Sequence, residues 1–251
     1  MIHVALLGFG VVGSGTAEVL TQNKAIIEKK VGQEVNIKYI LDLRDFPDSP
    51  FADRIVHDFN VILNDPEVSV VAEMMGGSHP AYDFSKACLE AGKSVVTSNK
   101  AMVAAHGCEM FEIAKQNGCH YIFEAAVGGG IPIIRPMNQC LTANNIQAVY
   151  GILNGTTNYI LTKMFEEGVA FSEALSEAQA LGYAERNPEA DVEGHDACRK
   201  TAILASLATG KFVDYKEIHT EGITKITLTD VQMAEKIGYV IKLIGAAEID
   251  E

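Results

Sequence analysis

No stretch of this 251-residue sequence is apolar for long enough to cross a bilayer, and the short apolar run that begins at Ile2 has no basic segment or cleavage signal ahead of it. Neither export nor membrane insertion is expected, and the chain reads as cytoplasmic. Positive charge is also scarce. The 20 lysines and arginines are outnumbered by 33 aspartates and glutamates, a formal net charge of −13. Such a surface repels both a nucleic-acid backbone and an anionic membrane, so neither is an expected partner. The five cysteines, Cys88, Cys108, Cys119, Cys140 and Cys198, are odd in number and contain no CxxC pair. That excludes a disulfide framework and a zinc site and leaves buried structural thiols as the expectation. No histidine has a second histidine or a cysteine four residues on as a metal ligand, and His195, beside Asp196, is the one best placed for a catalytic role. Repeats and low-complexity segments are absent as well. What is present is an ordinary globular composition, 48% hydrophobic and 21% charged, in a length that favours two domains at roughly 150 residues each.

The chain opens with a short apolar run, Ile2–Leu7, followed by glycine and then by Val12, Thr16, Val19 and Leu20 on one helical face, which reads as strand, turn, helix. Further strands are expected at Val35–Leu41, Val68–Met74 after the turn Asn64-Asp65-Pro66, Ser94–Thr97 and Cys119–Phe123. Helices are expected from Pro80 to Gly92 and from Lys100 to Asn117. Strands alternating with helices imply an α/β fold with a doubly wound parallel sheet of Rossmann type. After Gly130 the pattern changes to a short helix at Ile133–Cys140, a strand at Ile146–Leu153 and a mainly helical stretch to Gly210. The expected division is therefore a nucleotide-binding domain, 1–143, and an α+β substrate domain, 144–251, with the boundary at Ala143.

Gly8-Phe9-Gly10-Val11-Val12-Gly13 fits GxGxxG directly after the first strand and at the start of the first helix, where a dinucleotide pyrophosphate needs it. Gly8 permits a tight turn, Gly10 lets the backbone approach the phosphates, and Gly13 lets helix and strand pack closely. The helix start supplies unpaired N–H groups and positive potential to the anion. Asp42 closes the second strand and suits the ribose hydroxyls of NAD, while Arg44 would pair with the 2′-phosphate of NADP or lie as a solvated loop charge. Asp42 lies well beyond the usual spacing of about 20 residues from the glycine loop, so the first helix or the loop after it must be extended. Lys100 falls at the carboxyl end of a parallel strand, where open α/β sheets bind ligands, and Thr97, Ser98 and Gly76 fall on the same side.

Glu185, Asp191 and Asp196 gather three carboxylates ahead of Lys200. Asp196 and Lys200 are four apart and would share a helix face. A solvated ion pair is one reading. The other is a cleft, favoured because Thr201–Ala208 is apolar almost all round, as in a buried helix. The Glu124–Ile131 loop likewise supports two readings, a glycine hinge between domains or a set of oxygen donors for a hard cation.

Three segments resemble the homoserine dehydrogenase family. Gly92-Lys93-Ser94-Val95-Val96-Thr97-Ser98-Asn99-Lys100-Ala101 is similar to the family's GKxVVTANKA. The second segment is Glu124-Ala125-Ala126-Val127-Gly128-Gly129-Gly130-Ile131-Pro132, followed by Gly151-Ile152-Leu153-Asn154-Gly155-Thr156-Thr157-Asn158. The third runs from Leu181-Gly182-Tyr183-Ala184-Glu185 through Asp191 and Asp196 to Lys200. The resemblance implies NAD(P)-dependent interconversion of L-homoserine and L-aspartate 4-semialdehyde, in the biosynthesis of threonine, methionine and isoleucine. It implies Lys200 as the proton-transferring lysine assisted by Lys100, with Glu185, Asp191, Asp196 and Thr156 binding the substrate. It also implies Gly182 and Phe9 beside the cofactor with the other glycine-loop residues, a homodimer, and a monovalent cation such as sodium at Glu124, Val127, Gly129 and Ile131. The chemistry is consistent: carboxylates suit an α-ammonium group, and a lysine suits an oxygen that gains negative charge. In the family a further part of the substrate domain and a glycine-rich segment follow the equivalent of Ile244–Ile249, so the chain is expected to be incomplete. Its start at the first strand argues against a kinase fused ahead of it. A phosphorylating semialdehyde dehydrogenase and a non-catalytic nucleotide-binding module are the rival readings, the first requiring a nucleophilic cysteine.

Overall fold

The computed structural model describes residues 1–250. Two compact units divide the chain, one from Met1 to Pro132 and the other beginning at Ile133. This division falls ahead of the expected boundary at Ala143. The π-helical turn Pro136–Cys140 buries Met137 and packs with the helix His195–Thr209, which ties it to the second unit.

The first unit is an α/β fold of Rossmann type. Strand β1 (Ile2–Leu7) leads into α1 (Val11–Gln22), and after Asn23 a second helix, α2 (Lys24–Val31), continues to β2 (Val35–Leu41). This extra helix is the extension that the distant position of Asp42 requires. There follow β3 (Ile55–Val56), α3 (Phe59–Leu63), β4 (Val68–Glu73), α4 (Ala81–Glu90), β5 (Ser94–Thr97), α5 (Lys100–Gln116) and β6 (Tyr121–Ile122). The strands form one parallel sheet in the order β3-β2-β1-β4-β5-β6. The order reverses between β1 and β4, so a crevice opens beyond their carboxyl ends, where sheets of this kind receive ligands. Ala5, Leu6 and Leu7 are fully buried, as expected for a central parallel strand covered on both faces. Phe9 continues into the same core and makes edge-on ring contacts with Phe46 and Phe51, so the glycine loop is anchored by its one large side chain.

In the second unit, β7 (Ala148–Gly151) precedes α6 (Gly155–Glu167), α7 (Phe171–Ala180), α8 (Glu189–Val192), α9 (His195–Thr209), α10 (Leu228–Lys236) and β8 (Gly245–Glu248). β7 and β8 pair antiparallel, from Ala148 opposite Glu248 to Gly151 opposite Gly245. Ile160, Leu161 and Met164 of α6, Ala174 and Ala178 of α7, and Val192 of α8 form the centre of its core. Helix α9 is buried along Ala197, Cys198, Thr201, Ala202, Ile203, Leu204 and Ala205, matching the apolar stretch in its sequence.

Among the described residues no helix is long and apolar enough to cross a membrane. The cysteines are all unbridged. Cys88, Cys119 and Cys198 are buried, but Cys108 and Cys140 are exposed, contrary to the expectation of burial throughout. Burial pushes the Cys88 thiol up to about 12.

Candidate active site

In the first unit, Gly8 has φ +93° and lies against the Met74 carbonyl, 3.1 Å from where a Cβ would stand. A Cβ on Gly13 would lie 2.0 Å from the Gly8 carbonyl oxygen, so α1 can pack this close to β1 only as glycine. Nothing approaches Gly10, which leaves space for a backbone-bound phosphate. No side chain caps α1, and its first-turn N–H groups have no intrahelical acceptor. Val11 and Val12 are exposed at this opening, Val11 at 92%. The residues therefore fit a dinucleotide pyrophosphate. The Phe9 side chain is buried and its N–H donates to Asp42 Oδ2 at 2.8 Å, so Phe9 braces the loop.

Asp42 stands at the end of β2, where its carboxylate accepts four hydrogen bonds. Phe9 N–H donates one, and Arg44 donates three, from its backbone N–H, Nε and Nη2, each at 3.0 Å. The Arg44 hydrogen bonds, with those from the backbone of Arg44 and Phe9, hold the Asp42 carboxyl well below the usual carboxylate range. Arg44 also lies over the Phe46 ring, 5.0 Å from its centroid. The two residues read from the sequence as alternatives for the ribose position are thus partners.

Across the switch point, Glu73 ends β4 fully buried. Its Oε1 accepts the Met75 N–H at 2.7 Å and its Oε2 accepts the Thr97 hydroxyl at 2.5 Å. Thr97 Oγ1 in turn accepts the Asn99 N–H, and Asn99 donates from Nδ2 to the Gly77 carbonyl at 2.6 Å while capping α5 through Met102 N–H. Burial pushes the Glu73 carboxyl up, against the hydrogen bonds of Thr97, Met75 and Asn99. This network joins the Met74–Gly77 loop to the start of α5, where Thr97, Ser98 and Lys100 lie beside Gly76 on the ligand side of the sheet. The sequence analysis did not single out Glu73 or Asn99. The signal for Glu73 was a lone acid inside an otherwise apolar strand.

In the second unit, Asp196 lies in the first turn of α9, 3% exposed, where the positive end of a helix favours a carboxylate. Lys200, one turn on, pairs with Asp196 Oδ2 at 2.8 Å and donates to the Leu153 carbonyl at 2.8 Å. Their side chains are 14% and 4% exposed, so the pair is buried and not a solvated surface ion pair. An ammonium has three donors. Among the described residues two of these meet the acceptors Asp196 Oδ2 and the Leu153 carbonyl. Asn154, the N-cap of α6, donates to both Asp191 Oδ1 at 2.7 Å and Asp196 Oδ2 at 3.0 Å. Asn154 and the Leu153 carbonyl were not among the expected site residues. The available signal was Asn154-Gly155-Thr156-Thr157, a capping residue directly before a helix. Thr156 donates its hydroxyl to the Tyr183 carbonyl at 2.7 Å and so fastens the turn carrying Gly182 and Glu185 to the start of α6. Gly182 has φ +77°, and Glu185 is exposed on that turn.

In sequence, the Glu124–Ile131 loop stands at the end of the first unit. Ile131 N–H donates to the Gly128 carbonyl at 2.9 Å, and a Cβ on Gly128 would lie 2.3 Å from the Ile131 carbonyl oxygen. The turn thus folds the Ile131 carbonyl back on itself at a position only glycine permits. Val127 is buried and Gly129 has φ +59°. Among the described residues no three His, Cys, Asp or Glu side chains gather as a transition metal requires. The carbonyl-rich donor set suits a hard cation instead.

Comparison with known proteins gives matches along nearly the whole chain. Residues 8–124 match the family model described as homoserine dehydrogenase, NAD binding domain, and residues 132–250 match the model described as homoserine dehydrogenase. A homoserine dehydrogenase of Synechocystis sp. is 43% identical over 98% of this chain and 57% of its own length. The crystal structure of a homoserine dehydrogenase from Thiobacillus denitrificans superimposes with a TM-score of 0.93 at 42% identity, covering all of this chain and 58% of that one. A putative homoserine dehydrogenase from Archaeoglobus fulgidus gives 0.90 at 33% identity, covering 99% of this chain and 81% of that one. The chain thus spans somewhat over half the length of the curated relative.

Proposed function

Because the chain belongs to the homoserine dehydrogenase family, we propose that it interconverts L-homoserine and L-aspartate 4-semialdehyde with a nicotinamide dinucleotide. The observation that carries this reading is the buried cluster of Lys200, Asp196, Asn154 and Asp191. The dinucleotide, when bound through the Gly8–Gly13 loop, supplies or accepts the hydride. Lys200 Nζ holds the proton at the C4 oxygen of the substrate, giving it in reduction and taking it in oxidation. Asp191 and Asp196 receive the α-ammonium group, with Glu185 on the turn that Thr156 secures. Lys100 assists from the end of β5. Gly182 and Ser98 border the cofactor.

Asp42 and Arg44 set the choice between NAD and NADP, since one disfavours and the other attracts a 2′-phosphate. Carbonyls of Val127, Gly129 and Ile131 with Glu124 would hold a monovalent cation such as sodium, fixing the segment that joins the two units. A cytoplasmic homodimer acting in aspartate-family amino-acid biosynthesis completes the proposal. Its test is a turnover assay with L-homoserine and NAD or NADP, followed by absorbance of the reduced nicotinamide. Turnover that depends on homoserine is expected. Dinucleotide binding without any turnover would reduce the chain to a nucleotide-binding module.

A further inference from the structure

We infer that Asn154 is a positioning residue that holds Asp191 and Asp196 in the arrangement that receives a cationic amino group. The inference rests on the homoserine reading above and deepens it. Asn154 is 5% exposed, and each hydrogen-bonding valence of its amide is used. Its two N–H groups go to Asp191 Oδ1 and Asp196 Oδ2. Its carbonyl oxygen accepts the Thr157 N–H at 2.8 Å and the Thr157 hydroxyl at 3.0 Å. These four bonds set the direction of the amide, because the reversed one would turn its oxygen onto two carboxylates.

Capping α6 does not by itself require asparagine. Serine, threonine or aspartate would accept the Thr157 N–H about as well. What those residues lack is a neutral group with two donors on the opposite side. Aspartate at 154 would place a third negative charge against two others, and serine would have at most one donor for two acceptors. The position therefore matches its second role more closely than its first.

The arrangement of the carboxylates gives that role its purpose. Lys200 pairs with Asp196 and donates to the Leu153 carbonyl, and Asn154 bridges that pair to a second carboxylate, Asp191. Asn154 tethers Asp191 without neutralising it, and its second carboxylate oxygen lies outside the bridge. A second carboxylate is thus held in place beside Asp196 for a substrate cation. In an unbridged cluster, repulsion between the two carboxylates would drive Asp191 towards solvent.

The test compares the wild-type chain with Asn154→Ser and Asn154→Asp, measuring homoserine affinity by calorimetry in the presence of dinucleotide, KM and kcat, and thermal stability. Asn154→Ser keeps the cap and loses the bridge. It is expected to raise the homoserine Kd and KM roughly tenfold or more, the worth of a hydrogen bond to a charged group, with a much smaller change in kcat and in Tm. Asn154→Asp is expected to bind homoserine poorly at neutral pH and to recover as the pH falls, since a protonated carboxyl again donates a hydrogen bond. Wild type should show no such gain in acid. Wild-type chain that neither binds nor turns over homoserine overturns the functional reading and this inference together. Wild-type binding that Asn154→Ser retains in full overturns the inference alone. Equal losses in both variants, with lowered Tm and no acid recovery, would make Asn154 merely structural. Should Asn154→Ser fail to fold, the acid recovery of Asn154→Asp decides, its presence supporting the inference and its absence overturning it.

Discussion

Replacing Asp42 with alanine should move the dinucleotide preference towards NADPH. A carboxylate offers about four lone-pair sites, and in this structure Phe9 and Arg44 fill that number. A ribose hydroxyl can bind Asp42 only if Arg44 lets go, and a 2′-phosphate can bind Arg44 only against the charge of Asp42. Removing the carboxylate frees the guanidinium and removes the repulsion at once. One hydrogen bond to a charged group is worth about 1.5–3 kcal/mol, so the ratio of NADH to NADPH dissociation constants should shift by roughly ten- to a hundredfold. The Phe9 N–H also loses its acceptor, which weakens both cofactors and cancels in the ratio. Arg44→Ala should shift the ratio the other way, and the double variant should resemble Arg44→Ala, because the gain works through the guanidinium. Fluorescence titrations of the two reduced dinucleotides at one ionic strength would measure this, since a 2′-phosphate contact is screened by salt. An unchanged ratio in Asp42→Ala would refute the claim that Asp42 restrains Arg44.

Lys200→Ala should abolish turnover and leave dinucleotide affinity within about twofold, while Lys200→Arg, which keeps the charge beside Asp196, should retain the fold yet lose at least about a hundredfold in kcat. Substantial turnover in either variant would remove Lys200 from the proton step. Gly13→Ala should abolish dinucleotide binding and destabilise the first unit by about 1–3 kcal/mol, because its Cβ has no room beside the Gly8 carbonyl. Urea titrations with and without cofactor would show both effects, and tight binding by the variant would contradict the packing argument. The pH dependence of stability has a definite sign. Arg44 depresses Asp42, and Lys38, 2.6 Å away, depresses Asp65 to about 2. Their folded pKa values lie below the unfolded ones near 4, so their contribution is intact above that pH and is lost as pH falls through the folded values. The urea midpoint should therefore fall steadily below about pH 4 and do so less steeply in Asp65→Asn. An identical slope in that variant would show that Asp65 contributes nothing.

The long central strands and the glycine loop were legible because burial on both faces and phosphate binding each leave a residue pattern. β1 and β2 appear with the expected bounds, Ile2–Leu7 and Val35–Leu41. β3 was missed because two residues carry no period, and β8, Gly245–Glu248, was missed because its glycine and alanines give little strand signal. The expected strands at Cys119–Phe123 and Ile146–Leu153 are shorter in the structure, Tyr121–Ile122 and Ala148–Gly151, since the apolar runs continue past the ends of the ladder. In the site, the four-residue spacing of Asp196 and Lys200 gave their meeting directly. Asn154 was not legible as a site residue, because it lies 37 and 42 positions from the carboxylates it joins and local spacing says nothing about such a pairing. The inward turn of the Phe9 side chain was not legible for a related reason, since its place in the motif carries no information about side-chain direction.

The distribution of thiols gives the protein a chemical signature of its own. One exposed cysteine lies in each unit, Cys108 in helix α5 and Cys140 at the π-helical turn, while the other three are shielded. An alkylating reagent should therefore titrate two sulfurs quickly and the remainder only as the fold opens. Inactivation by such a reagent can be traced by mass spectrometry to one of two sites, neither in the Lys200 cluster nor in the glycine loop. The same two sulfurs are natural attachment points for a pair of spectroscopic labels, one per unit, with no engineered cysteine. The response of each unit to added dinucleotide could then be followed in the unaltered sequence.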